Sequence, residues 1–94
     1  MRVTVLLPGV LREKAGGESR LEVEVAEPAT LSSLLDVLAK EYPALERRLR
    51  DERAALRRYV NFYVNGEECR SSGGAGTMLR EAAEIQIIPS VAGG

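Results

Sequence analysis

The sequence contains no histidine and only one cysteine, Cys69. Zinc sites draw on clusters of cysteine and histidine, and Ser-His or Cys-His nucleophilic catalysis needs an imidazole, so neither chemistry is expected and the metal prediction is none. One thiol cannot close an internal disulfide, which fits a reducing cytoplasm, the predicted location. A reactive thiolate needs a basic neighbour or a helix N-terminus, and Arg70 alone is weak support, so Cys69 reads as an inert structural residue. No stretch is long and apolar enough to span a membrane. Met1-Arg2 leads straight into a strand-like run, so no signal peptide is expected. Charge of one sign is also lacking: 13 basic residues face 14 acidic ones, which argues against a general nucleic-acid binder. No glycine-rich loop followed by Lys-Ser/Thr offers a phosphate cradle. A chain so equipped is expected to be no enzyme by itself and to hold no cofactor.

What is present is a compact pattern. Ninety-four residues with 45% hydrophobic content fit one domain with a modest core. Val3, Val5 and Leu7 predict a first strand, broken at Pro8-Gly9. Gly16-Gly17 reads as a turn, and Leu21, Val23 and Val25 alternate with charged residues in a second strand. Thr30 is a predicted N-cap. Leu31, Leu34, Leu35 and Leu38 then recur at helical spacing, and Pro43 closes the helix at Tyr42. Helical pattern continues through Leu45 and Leu49. Six arginines fall within residues 47–58, read either as a solvated face or as a docking surface for an acidic partner.

Tyr59 to Val64 alternates, with Val60, Phe62 and Val64 on one side, and Asn65-Gly66 predicts a type I′ hairpin turn. Three of the four aromatic residues lie here. Phe62 and Tyr63, with Arg57 and Arg58, are the candidate partner surface. Residues 71–76 read as a flexible loop, and Thr77-Met78-Leu79 as one helical turn. Strand, strand, helix, with the helix across the sheet, predicts an α+β fold of the β-grasp (ubiquitin-like) kind. It has a mixed sheet of four to five strands, one main helix, and its first and last strands parallel at the centre.

The last ten residues organise the rest. Ile85 and Ile87 alternate with Glu84 and Gln86, and Pro89 is expected to end that strand because it has no N–H for a ladder. The predicted division is a domain over 1–89 and a flexible tail over 90–94. Ser90, Val91, Ala92, Gly93 and Gly94 carry no charge, and five extended residues reach roughly 17 Å. The tail ends on a carboxylate, ionised at neutral pH and therefore a poor electrophile. It can instead attack the α-phosphate of ATP to give an acyl-adenylate. Glycine suits threading into a narrow channel because it lacks Cβ, and an uncharged tail avoids a desolvation penalty inside it.

Glu84 to Gly94 resembles the C-terminus of the ubiquitin-like sulfur carriers. These include the small subunit of molybdopterin synthase, the thiamine-pathway carrier and the carrier of the actinobacterial cysteine pathway. Pro-x-Val-Ala-Gly-Gly, here Pro89 to Gly94, is most similar to the cysteine-pathway type, as is Val60-Asn-Phe-Tyr-Val-Asn65. Leu11-Arg12-Glu13 with Gly16-Gly17 resembles the molybdopterin type. The chain departs from the family where Glu81-Ala82-Ala83 stands in place of an Asp-Gly turn, so a different turn geometry is expected there.

The resemblance implies that Gly94 is adenylated by an E1-like enzyme using ATP and converted to a thiocarboxylate by a sulfurtransferase or other sulfide source. The tail would thread the partner's channel, with Gly93 giving clearance and Ala92, Val91, Ser90 and Pro89 giving reach. The recipient would be a sulfur-acceptor synthase, with a peptidase releasing cysteine in the cysteine pathway. Molybdopterin, thiamine, thiosugar and tRNA thiolation stay open as alternatives. So does a different class, a ubiquitin-like modifier ligated to lysines or a binding module. Neither nucleic acid nor membrane is an expected partner.

Overall fold

A computed structural model of the chain describes residues 1–90. The predictions for Val91, Ala92, Gly93 and Gly94 lie outside the described residues.

The chain forms β1 (Arg2–Leu6), α1 (Gly9–Arg12) with a following 3-10 turn (Glu13–Ala15), and β2 (Arg20–Glu24). It continues with β3 (Ala29–Thr30), α2 (Leu31–Glu41) and α3 (Pro43–Leu49). The last elements are β4 (Val60–Val64), β5 (Glu67–Glu68), β6 (Met78–Leu79) and β7 (Glu84–Pro89). The main sheet has the order β2-β1-β7-β4-β5, and β3 pairs with β6 in a second, two-stranded sheet. β1 runs parallel to β7, with Leu6 opposite Gln86, while β2 and β4 lie antiparallel on either side. The first and last strands therefore share the sheet centre, as the sequence pattern predicts for a β-grasp.

Period-two alternation decides which face is wet. Val3, Val5, Leu21, Val23, Val60, Phe62, Ile85 and Ile87 are buried, and they meet Leu31, Leu34, Leu35 and Leu38 of α2 in a single core. α2 begins with a capping box: the Ser33 N–H donates to Thr30 Oγ1 (3.2 Å) and the Thr30 N–H to Ser33 Oγ (2.8 Å). Two of the helix's unpaired N-terminal groups are satisfied this way. Tyr42 caps its end, and Pro43 opens α3 at a first-turn position where no N–H is needed. Asn65 (φ 50°) and Gly66 (φ 86°) both take positive φ between β4 and β5, the requirement of a type I′ turn.

Several expectations are corrected. Residues 9–15 are helical, because Leu11 and Ala15 both turn into the core one helical turn apart. Gly16 (φ 68°) and Gly17 (φ 87°) then make the turn. Met78–Leu79 is a strand: it pairs with Ala29–Thr30 and buries Leu79, and the Leu31 N–H donates to Thr77 O at 2.9 Å. Two 3-10 turns, Cys69–Ser71 and Gly74–Gly76, occupy the segment read as a loop. At the turn before β7, Ala82 itself adopts the left-handed conformation (φ 66°), and the Ala83 N–H closes onto Arg80 O at 3.0 Å.

Candidate functional site around the root of the C-terminal tail

β7 delivers the chain end from the middle of the sheet, and its hydrogen-bond parity explains how Pro89 is tolerated there. Asn65 donates its N–H to Glu84 O (2.8 Å), and Ser90 donates its N–H to Tyr59 O (2.6 Å). Even-numbered residues of β7 thus exchange bonds with β4, and odd-numbered ones turn their N–H toward β1. The β1 ladder stops at Leu6 opposite Gln86, so at position 89 β1 no longer has a strand partner to offer. Proline costs the sheet no bond at that position. The strand accordingly includes Pro89, paired with Val60, and hydrogen bonding extends one residue further to Ser90. The strand ends at Pro89, as the sequence reading held, and Pro89 is itself its last paired residue.

The outer face of the sheet changes character along its length. At the end remote from the tail it carries Arg2, Thr4, Glu22, Glu24 and Glu84. Arg2 Nε lies 3.1 Å from Glu24 Oε1, and Arg20 Nε 3.1 Å from Glu22 Oε2. The hydroxyl of Thr4 donates to Glu22 at 3.0 Å, and this bond, helped by Arg20, holds the Glu22 carboxyl below its usual range. Toward the tail apolar residues join exposed Arg20 and Gln86 on this face. Ile88 is 38% exposed and Tyr59 42% exposed, and Leu6 and Tyr63 are partly exposed. Beside them an open groove of about 380 Å³ runs between Leu6, Pro8, Arg12 and Ile88.

The predicted partner residues separate on this frame. Tyr63 is partly exposed on the outer face, opposite Gln86 and four residues short of Ser90 along β7. Phe62 is a correction: it is 0% exposed, pointing with Val60 into the core, because its odd-even phase on β4 is that of Ile87, its register partner. Arg58 is exposed. Arg57 is half-buried, with its Nε donating to Arg47 O at 2.8 Å. The arginine-rich segment is not a uniform basic surface. Arg50 is buried, its NH2 2.9 Å from Asp36 Oδ1 and its Nε 2.8 Å from Glu46 Oε2.

Sequence reasoning missed Ile88 and Leu6 beside the tail. The alternation that buries Ile85 and Ile87 already implies an outward Ile88, an apolar residue in a polar phase, and that was the available signal. Cys69 is buried, and its thiol is pushed up from the ordinary value by burial first and by neighbouring Glu68 second. It is not a poised nucleophile. Among the described residues no group of His, Cys, Asp and Glu could hold a metal ion, and no helix is long and apolar enough to cross a membrane.

The ThiS family model matches residues 5–94. This chain belongs to the ThiS family. It is similar to the sulfur carrier protein CysO of Mycobacterium tuberculosis, 38% identical over 96 residues, with the whole of both chains covered. It is also similar to the molybdopterin synthase sulfur carrier subunit of the same organism, 33% identical over 94 residues, covering 100% of this chain and 99% of the other. Among solved structures, the BexX/CysO complex of Amycolatopsis orientalis contains a chain that matches with a TM-score of 0.82 and 36% identity. That match covers 98% of this chain and 99% of the other. The ubiquitin-like β-grasp architecture follows from these likenesses as well as from the strand order.

Proposed function

We propose that this member of the ThiS family is a sulfur carrier, a protein co-substrate loaded at Gly94 and emptied by a partner synthase. The carrying observation is the union of a Pro89-to-Gly94 ending with a root fixed at the sheet centre, where Ser90 is bonded to Tyr59. An E1-like enzyme would bring the Gly94 carboxylate against the α-phosphorus of ATP, forming the acyl-adenylate and releasing pyrophosphate. Sulfide would then displace AMP to leave a thiocarboxylate. A persulfide donor would reach the same product after thiol reduction of the acyl disulfide. The thiocarboxylate sulfur is nucleophilic at neutral pH, and tethering keeps it from diffusing into solvent.

The favoured recipient is a cysteine-forming synthase. There the sulfur would add to the β-carbon of an aminoacrylate, giving a thioester between Gly94 and the new cysteine. An S-to-N shift would convert it to a peptide bond, and a peptidase would release cysteine and restore the Gly-Gly end. Full-length similarity to CysO at 38%, against 33% for the molybdopterin-type subunit, supports this order of preference.

Intact mass of the protein recovered from its own cells tests the reading. A thiocarboxylate, or an adduct of one cysteine residue, is expected. Sulfur lost without an adduct, and only in the presence of a pterin-processing enzyme, moves the assignment to the molybdopterin role. A ladder of high-mass lysine conjugates with no thiocarboxylate moves it to a protein modifier.

A further inference from the structure

Among the described residues, the root of the tail is held through Ser90, and the group that holds it is itself held. Ser90 donates its N–H to the carbonyl of Tyr59 at 2.6 Å, so the direction in which the chain leaves the sheet depends on where the Tyr59 peptide sits. Tyr59 precedes β4, in a turn where the Val60 N–H bonds to Arg57 O at 3.1 Å. A short turn at the start of a strand is ordinarily free to fray. Here a single guanidinium spans it. Arg70 NH2 donates to Arg57 O (3.0 Å) and to Val60 O (3.1 Å), and its NH1 donates to Asn61 Oδ1 (3.2 Å). Those three acceptors bracket Tyr59 on both sides in the chain.

The guanidinium is aimed by its own surroundings. Arg70 lies in the 3-10 turn Cys69–Ser71, anchored by buried Cys69. Its N–H donates to Glu68 Oε2 at 2.7 Å, and its NH1 lies 3.6 Å from Glu68 Oε1. Three acceptors on one rigid, planar fork are a task for arginine. An ammonium on a flexible stem has three donors but no fixed plane in which to present them.

From this geometry we infer that Arg70 is the positioning residue for the C-terminal tail. By fixing the peptides around Tyr59 it fixes the Ser90 bond, and so sets the angle at which residues 91–94 are offered to an activating enzyme. The inference rests on the carrier reading for its consequence in activation, but the link from Arg70 to Ser90 does not. Arg70 touches no reacting atom. Its effect is on presentation, and a tail root that samples several directions spends less time in a productive pose.

The test pairs two readouts on the full chain, comparing Arg70→Ala and Arg70→Lys with the unaltered protein. The first is amide hydrogen exchange. The Ser90 amide is expected to exchange about tenfold faster in Arg70→Ala, the factor that loss of roughly 1.4 kcal/mol of local protection gives. Ile85 and Ile87 amides in the core should keep their rates. The second is pyrophosphate release by the cognate E1-like enzyme. The expected result is kcat lowered about tenfold with KM within about twofold, because docking of the body survives while near-attack geometry suffers. Arg70→Lys should fall between the two proteins in both assays. A merely structural role would instead lower the melting temperature and speed all core amides together, with kcat per folded molecule unchanged. That outcome, or an unaltered Ser90 rate in Arg70→Ala, overturns the inference. Should Arg70→Ala fail to fold, Arg70→Lys carries the same two comparisons. If the unaltered protein releases no pyrophosphate with the enzyme, the carrier reading fails, and Ser90 exchange still decides the role of Arg70.

Discussion

Arg50 offers the sharpest test of how the domain is held together. It is 4% exposed at the end of α3, with Glu46 one turn back on the same helix and Asp36 reaching it from α2. The two ion pairs are unequal. Asp36 is 66% exposed in its side chain, so water competes for it, while Glu46 is largely enclosed. Among the described residues, Arg50 NH1 and Glu46 Oε1 are buried without a hydrogen-bond partner. This network is therefore held together mainly by one bond, Nε–H to Oε2, and by packing of the arginine stem.

Magnitudes follow from that asymmetry. Removing one partner of a buried pair typically costs about 3–5 kcal/mol, and Arg50→Ala is placed near the lower end because freed Asp36 can turn into solvent. Asp36→Asn is expected to cost less than about 1 kcal/mol, as for an exposed pair. Replacing both buried partners at once, Glu46→Leu with Arg50→Met, leaves no stranded charge and should recover most of the loss. Urea unfolding reads all three. With an m-value of roughly 1–1.5 kcal/mol/M for a small domain, a 3 kcal/mol loss lowers the midpoint by about 2–3 M. Asp36→Asn should lower it by under about 1 M on the same basis. Equal midpoints for Asp36→Asn and Arg50→Ala would refute the screening argument. A double variant no more stable than Arg50→Ala would refute the claim that stranded charge dominates.

Three further outcomes are expected. Ala82 sits at φ 66°, where an L-residue with a Cβ is strained by about 1–2 kcal/mol, so Ala82→Gly should raise the urea midpoint despite the added chain entropy; an unchanged or lower midpoint would show the turn to be unstrained. Gly93→Val should cut E1-dependent pyrophosphate release sharply through its branched side chain, and Val91→Ala should do so only mildly, with unfolding unaffected in both; wild-type rates in both would argue against threading into a tight channel. Finally, folded Cys69 has a raised pKa because burial disfavours the thiolate. The folded state then holds its proton where the unfolded state has lost it, so stability is fully present below the unfolded thiol value of about 8.5 and declines as pH rises above it. Unfolding midpoints from pH 7 to 10 on the carboxylate form should fall above that point relative to Cys69→Ala, and parallel curves for the two proteins would contradict it.

How much of this was legible beforehand depended on how local each signal was. The leucine stripe of α2, the Thr30 cap and the Asn65-Gly66 turn are complete within a few residues, and each formed as its pattern required. The two-residue strands β3 and β6 carry no periodicity of their own. Met78–Leu79 is a strand only because the chain before α2 passes beside it, and nothing in Thr77-Met78-Leu79 announces that. Buried Arg50 was hidden for the same reason: its partner Asp36 lies on another helix, and an arginine-rich run looks solvated until α2 and α3 are packed together. Phe62 is a different case. The alternation had already placed it with Val60 and Val64, and treating it as surface set its chemistry above its phase.

The candidate site divides along the same line. Its ending is contiguous and could be read directly, down to Gly94. Its mounting is assembled from three other places in the chain. β1 stops at Leu6, which leaves Pro89 without a neighbour to disappoint; Tyr59 supplies the carbonyl that Ser90 uses; Arg70 pins the turn on which Tyr59 stands. Reading Pro89 by itself gave the end of a strand, since a missing N–H ordinarily breaks a central ladder. The strand does end there, yet Pro89 is still paired with Val60, because parity turns the missing N–H away from β4, toward a side where the ladder has finished. A proline at any even position of β7 would remove a bond to β4 instead. The placement of Pro89 at an odd position, one residue before the Ser90 bond to Tyr59, lets the strand run on to the rim of the patch formed by Ile88, Leu6 and Tyr59. Chain direction and patch are thereby delivered to the same end of the sheet, the arrangement a carrier needs if a partner is to grip the body while acting on the tip.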